Sequence, residues 1–178
     1  MNICVYGASS ETLEEIYYEE TFRLGKYLGE RGHDLVFGGG NTGLMGAIAR
    51  GFKEFDRKIL GIAPRFFDKP GVIYKECTDF IFTDTMRERK EYLEDKSEAT
   101  IVLPGGIGTY EEFFEIYTLK SLGRIDRPIV LYNINDYYNS MKTLLEHTAR
   151  SNFMSSDKLD MYAVASNPEE TLHYIEKY

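Results

Sequence analysis

The chain has 178 residues, enough for one domain with a full core and no need of metal or disulfide staples. Its 21 basic residues are outnumbered by 29 acidic ones, and the net charge of −8 argues against a nucleic-acid groove or binding to an anionic membrane. Cys4 and Cys77 lack CxxC spacing and are too few for a disulfide framework, which points to a reducing, cytoplasmic setting. The opening MNICVYGASSETLEE has neither the basic stretch nor the apolar core of a signal peptide, and no apolar run approaches the roughly 18 residues of a membrane span.

In chain order, Asn2–Tyr6 reads as a buried strand ended by Gly7. Leu13, Tyr17, Leu24 and Leu28 predict a helix over Glu11–Arg31, with Gly32 closing it as a left-handed C′ residue. Asp34–Phe37 is a second strand running into GGGNTG, and Leu44–Phe55 a second helix. Lys58–Ala63 is a third strand, and Pro64–Cys77, with two prolines and mixed polarity, is an irregular loop or short extra element. Asp79–Phe82, Ala99–Leu103, Pro128–Tyr132 and Met161–Ala165 supply further strands. Between them lie helices over Met86–Lys96, Tyr110–Leu122 (closed by Gly123) and Asp136–Arg150. Asn167 as N-cap, Pro168 at N1 and Glu170 at N3 open a last helix. Short strands alternating with helices imply crossover connections. The fold expected over residues 1–178 is therefore a single doubly wound, Rossmann-like α/β domain with a mainly parallel sheet. Its ligand crevice belongs beyond the carboxyl ends of the strands.

Three loops at those ends are rich in glycine: Gly7–Ser10, Gly38–Gly43 and Pro104–Thr109. Gly38, Gly40 and Gly43 match GxGxxG, but after the second strand and without the acid that binds a ribose hydroxyl, so the dinucleotide fingerprint is missing. There is no GxxxxGK[ST] phosphate loop and no GxSxG elbow. Any one such turn serves simply to pack a helix on a sheet; three at one sheet end suit a backbone brought close to a phosphate. Thr109-Tyr110-Glu111-Glu112 fits [ST]xxE, which reads as a capping box with Thr109 as N-cap. On the other reading Glu112 sits one turn below a bound phosphate, within reach of a sugar. Met86, Arg89, Lys90 and Leu93 share one helical face, whereas Arg87 lies about 160° from Arg89, so the two arginines do different jobs. An arginine on that stripe needs an anion, which a structural carboxylate supplies as well as a ligand does. His33, His147 and His173 are isolated, so no metal is expected, and His33, just past a helix end, reads as a surface residue. The pairs Tyr17-Tyr18 and Tyr137-Tyr138 read as packing at least as well as base stacking.

Met86-Arg87-Glu88-Arg89-Lys90 followed by Pro104-Gly105-Gly106-Ile107-Gly108-Thr109-Tyr110-Glu111-Glu112 resembles the MHxRK and PGGxGTxxE signatures of the Lonely Guy family, formerly described as lysine decarboxylases. GGGNTGLMG over Gly38–Gly46 is similar to that family's second-strand loop. The likeness runs from the first strand to the last helix. It implies hydrolysis of the N-glycosidic bond of a purine (cytokinin riboside or adenosine) 5′-monophosphate, giving free base and ribose 5-phosphate with no cofactor. It implies Arg89 and Glu112 as catalytic residues, and substrate contacts at Lys90, at Gly106, Ile107, Gly108, Thr109 and Glu111, and at Thr118. Gly39, Gly40, Gly105 and Met86 complete the candidate set. The chain departs from the family at Arg87, where histidine is frequent, and at Thr118–Gly123, where TWxQLG is frequent.

The mechanism expected is that Glu112 stabilises positive charge on the ribose and orients a water, while Arg89 keeps Glu112 ionised and in place. The alternative is a module that carries a nucleotide-like ligand, such as a pterin cofactor, without cleaving it. The paired Arg89 and Glu112 favour the enzyme, since a pure phosphate binder has no use for the acid. A homodimer is expected because Phe113, Phe114 and Tyr117 on one helix exceed what one core hides, and the resemblance points the same way.

Overall fold

The computed structural model describes residues 1–178. Alternating apolar and amphipathic runs give β1 (Asn2–Tyr6), α1 (Glu15–Glu30), β2 (Asp34–Phe37), α2 (Gly43–Lys53), β3 (Ile59–Pro64), β4 (Asp79–Thr83) and α3 (Met86–Asp95). The second half adds β5 (Ala99–Val102), α4 (Ile107–Ser121), β6 (Ile129–Tyr132), α5 (Asn139–Arg150), β7 (Ala163–Ala165) and α6 (Pro168–Lys177). The strands form one seven-stranded sheet, ordered β4-β3-β2-β1-β5-β6-β7, and every pairing in it is parallel. No helix is long and apolar enough to cross a membrane.

Successive side chains of a strand face opposite sides, so β1 feeds two cores. Ile3 and Val5 join Leu24, Leu28, Ile48, Phe52 and Leu172 under α1, α2 and α6. Cys4 and Tyr6 join Leu93, Phe113, Ile116 and Leu145 under α3, α4 and α5. A sheet covered on both faces explains why its strands read as continuous apolar runs. The strand order reverses at β1, between β2 and β5, and the loops after these three strands meet at one end of the sheet.

Several element ends differ from the sequence reading. Helix α1 starts at Glu15 and not Glu11, because Ser10 and Thr12 hydrogen-bond to each other and Tyr18 Oη donates to the Ser10 carbonyl, holding this stretch as a loop. Helix α5 starts at Asn139 because Asn135 and Asp136 take left-handed φ values of 49° and 59° in a preceding 3-10 turn. Two further 3-10 turns, Arg65–Phe67 and Ser156–Met161, lie in stretches the sequence reading leaves irregular or unassigned. Gly32 and Gly123 adopt the left-handed conformation expected after α1 and α4, with φ of 85° and 66°. The Asn167 side chain accepts from Glu170 N–H at 2.8 Å, as its N-cap assignment requires. His33 corrects the surface reading. It is buried, its Nε2 lies 3.8 Å from Glu176 in α6, and burial pushes its pKa below the usual range.

Candidate active site

A crevice of about 470 Å³ opens where the β1, β2 and β5 loops converge, a size suited to a small organic ligand. Arg89 and Glu112 are the only ionisable side chains lining it.

Arg89 arrives on α3, whose first turn is fixed by a true capping box. Thr85 Oγ1 accepts from Glu88 N–H at 3.1 Å, and the Glu88 carboxylate accepts from Thr85 N–H at 3.3 Å. That sets the helix phase, so Arg89 and Leu93 turn inward while Arg87 stays exposed. Met86, on the same stripe, reaches the crevice wall but remains 41% exposed.

The similar-looking pattern at Thr109–Glu112 does something else, which corrects its reading as a capping box. Helix α4 begins at Ile107, not Tyr110, and its N-cap is Gly106, which has no side chain to cap with. Thr109 and Glu112 therefore both lie inside the helix. Glu112 does not reach back to the backbone; its Oε1 accepts from Arg89 Nη1 at 2.6 Å, with both side chains about nine-tenths buried.

The ends of this loop are wired in opposite senses. Three consecutive carbonyls are tied: Leu103 accepts from Tyr138 Oη at 2.6 Å, Pro104 from Ala8 N–H at 3.0 Å, and Gly105 from Tyr137 Oη at 2.6 Å. By contrast the N–H groups of Gly105 through Thr109 find no acceptor within the chain. A Cβ at Gly106 or Gly108 would meet nothing, so these donors are open to an incoming group. Free donors at the positive end of a fifteen-residue helix make a site for an anion.

The second glycine loop serves Arg89. A Cβ at Gly38 would stand 2.5 Å from Arg89 Nη2, so only glycine leaves the guanidinium room to lie against Glu112. The opposite wall comes from the segment left unassigned by sequence. The stretch after β3 folds back so that Gly40 and Ile73 form an antiparallel bridge, with Asn41 N–H donating to Val72 and Tyr74 N–H to Gly39. Phe67, Val72 and Ile73 thereby join Met45 and Met86 as an apolar wall. None of these three was a sequence candidate. Pairing between loops distant in the chain leaves no periodic trace.

The electrostatics also depart from the expectation for Glu112. Burial pushes its carboxyl above the ordinary carboxylate range, and the attraction of Arg89 only partly offsets this. Arg89 holds the carboxylate in place and lowers its pKa, but not enough to cancel the effect of burial. A raised pKa makes Glu112 a better proton acceptor once ionised.

Of the sequence candidates, Gly40, Met86, Arg89, Gly106, Gly108, Thr109 and Glu112 line the crevice. Gly39 lies beneath it, against Phe80, and Gly105 faces a neighbouring cavity. Lys90 is engaged on α4 by Glu111 at 2.6 Å and Glu115 at 2.9 Å. Ile107, Glu111 and Thr118 face outward on α4, away from the crevice. Phe113 and Tyr117, expected in the apolar surplus of α4, are hidden in the chain's own core; Ile107, Phe114 and Leu122 are the exposed ones.

A family signature described as "possible lysine decarboxylase" matches residues 45–175. The cytokinin riboside 5′-monophosphate phosphoribohydrolase LOG2 of Arabidopsis thaliana is 34% identical over 176 residues, covering 99% of this chain and 83% of that protein. The probable cytokinin riboside 5′-monophosphate phosphoribohydrolase LOGL3 of Oryza sativa subsp. japonica is 33% identical, covering 98% and 83%. Among solved structures, the Moco carrier protein of Chlamydomonas reinhardtii superposes with a TM-score of 0.74 at 19% identity, covering 99% of this chain and 95% of that one. The molybdenum cofactor binding protein of Rippkaea orientalis gives 0.71 at 20% identity, covering 99% and 94%. At those identities the structural likeness shows a shared fold, while the sequence relatives show the family. With its full-length match to the plant enzymes and both signatures in one crevice, the chain belongs to the family of the cytokinin riboside 5′-monophosphate phosphoribohydrolases.

Proposed function

We propose that the protein hydrolyses the N-glycosidic bond of a purine nucleoside 5′-monophosphate, releasing the free base and ribose 5-phosphate. The observation that carries this is the Arg89–Glu112 pair set one helical turn below a row of unpaired backbone donors. That spacing suits a ribose whose 5′-phosphate sits on the N-terminus of α4. Breaking the ribosyl–purine bond builds positive charge on the sugar, as in other glycoside hydrolyses. Glu112 faces that charge and takes a proton from the water that attacks C1′. The bond from C1′ to the purine nitrogen breaks as the new C–O bond forms. With no other acid lining the crevice, the leaving purine takes its proton from solvent. Phosphate binding remote from the bond aligns the reacting centre. The apolar wall of Met86, Phe67 and Val72 is the surface offered to the base.

Two further readings belong to this proposal. The protein acts in the cytoplasm, where its free thiols Cys4 and Cys77 stay reduced. It works as a homodimer through the outer face of α4, on which Ile107, Glu111, Phe114, Thr118 and Leu122 recur at helical spacing. This placement would bring Glu111 and Thr118 to a neighbouring copy.

The test is to follow base release from AMP, isopentenyladenosine monophosphate and adenosine under one condition. Each charge-assisted bond to a backbone N–H is worth about 1.5–3 kcal/mol, so losing two costs roughly 10²–10⁴ in kcat/KM. Adenosine should be cleaved at least about a hundredfold less efficiently than AMP. Comparable values would sink the phosphate assignment. Stoichiometric binding of every nucleotide with no free base would replace the enzyme by a carrier.

A further inference from the structure

Neither member of the Tyr137-Tyr138 pair lines the crevice, Tyr137 lines a cavity adjoining it, and the mechanism above leaves both unused. Both hydroxyls end on main-chain carbonyls of the β5 loop, Tyr138 on Leu103 and Tyr137 on Gly105, each at 2.6 Å. Because the Tyr137 proton is given to Gly105, the Tyr110 hydroxyl 3.0 Å away must donate to Tyr137. The Tyr110 hydroxyl thus reaches the loop only through Tyr137.

A trans peptide points its C=O and N–H in opposite directions within one rigid plane. The Gly105 carbonyl belongs to the same peptide as the Gly106 N–H, and no peptide in the chain is cis. Tyr137 lines a second cavity of about 360 Å³, which shares Gly105 and Gly106 with the loop's rear side. Gly106 lines both cavities, Gly105 only the rear one. Pulling the carbonyl toward the rear therefore turns the N–H toward the crevice. Glycine on both sides of this peptide gives the plane little steric resistance to rotation, so its direction depends on what holds the oxygen.

We propose that Tyr137 is a positioning residue, whose hydroxyl anchors the Gly105 carbonyl and so aims the Gly106 N–H at the 5′-phosphate. The assignment rests on the phosphate reading above and makes Tyr137 act on binding, not on the reacting bond. Its ring is also held edge-on by Tyr17 and Tyr138, so Tyr137→Phe removes the hydroxyl while keeping the packing.

Tyr137→Phe should raise the KM for AMP about tenfold, the worth of one misaimed donor, with kcat within about twofold of wild type. The Kd for ribose 5-phosphate and for inorganic phosphate, by calorimetry, should weaken by the same factor, and kcat/KM for adenosine should not move. Tyr110→Phe should fall between Tyr137→Phe and wild type. An unchanged phosphate Kd, or equal losses on AMP and adenosine, overturns the proposal. Wild type that binds ribose 5-phosphate but releases no base defeats the hydrolase reading alone, since the Kd comparison still decides Tyr137. Should Tyr137→Phe fail to fold, amide NMR of wild type decides: inorganic phosphate must shift the Gly106 N–H, and an unmoved resonance overturns the assignment.

Discussion

Replacing Gly38 with alanine adds one methyl group at the crevice and should disable the enzyme through Arg89. The new Cβ would sit 2.5 Å from Arg89 Nη2, so the guanidinium must retreat roughly 1 Å to reach ordinary contact. It is held at 2.6 Å from Glu112 with both groups about nine-tenths buried, so solvent screening is slight. At an effective dielectric near 20, lengthening such a pair by about 1 Å removes about 2 kcal/mol of attraction. Fully expressed in the transition state, that is about thirtyfold in kcat/KM. The backbone at Gly38 is not left-handed, so alanine adds no conformational strain there. The assay is kcat/KM for AMP in Gly38→Ala, Arg89→Ala and the double variant, with melting curves for each. If Gly38 acts through Arg89, the double variant is no worse than Arg89→Ala alone. Losses that multiply, or a Gly38→Ala enzyme with wild-type activity, would refute the steric argument.

Glu112→Gln keeps an acceptor for Arg89 and is expected to fold and bind nucleotide, while base release falls by roughly 10²–10⁴; single-turnover measurement giving wild-type rates would remove Glu112 from the chemistry. Because Glu112 must be ionised and burial raises its pKa, the acid limb of the wild-type kcat/KM profile should lie above the ordinary 4.5, and a limb at or below that value contradicts the assignment. The same shift means the fold holds this proton more tightly than the unfolded chain does. Its contribution to stability is therefore complete below the unfolded pKa and is lost as pH rises through the folded one, so the melting temperature of wild type should fall relative to Glu112→Gln across that window. Arg89→Ala should cost about 3–5 kcal/mol of stability and most of the activity, against near-neutral effects for exposed Arg87→Ala; matching losses would show that the helix phase is wrong.

The strands, their carboxyl-end loops and the Arg89 stripe were legible because each rests on local periodicity or glycine punctuation. The start of α4 was not. Thr85-x-x-Glu88 and Thr109-x-x-Glu112 carry the same pattern, yet only the first is a capping box. What separates them is where the helix starts: α4 begins at Ile107, which puts Thr109 and Glu112 inside it and leaves the Glu112 carboxylate to Arg89, 23 residues upstream. His33 was misplaced for a similar reason, since Glu176 of α6, 3.8 Å from its ring, comes from the far end of the chain. Phe67, Val72 and Ile73 were invisible because a single loop-to-loop bridge at Gly40 and Ile73 brings them to the crevice.

The sheet order sets how the chain must assemble before it can act. Strand β4 is an edge strand, and the next strand, β5, lies beyond β3, β2 and β1, so α3 is carried across the sheet as the long connection between its two halves. Arg89 rides on that connection and meets Gly38 from one half and Glu112 from the other. Such contacts close late, because a large loop must be ordered before they form. Recovery of base release during refolding should therefore trail recovery of helical signal. A half-folded chain then has glycine loops and helix ends but no reactive centre, so nucleotides are cut only by molecules in which the two halves of the sheet have joined.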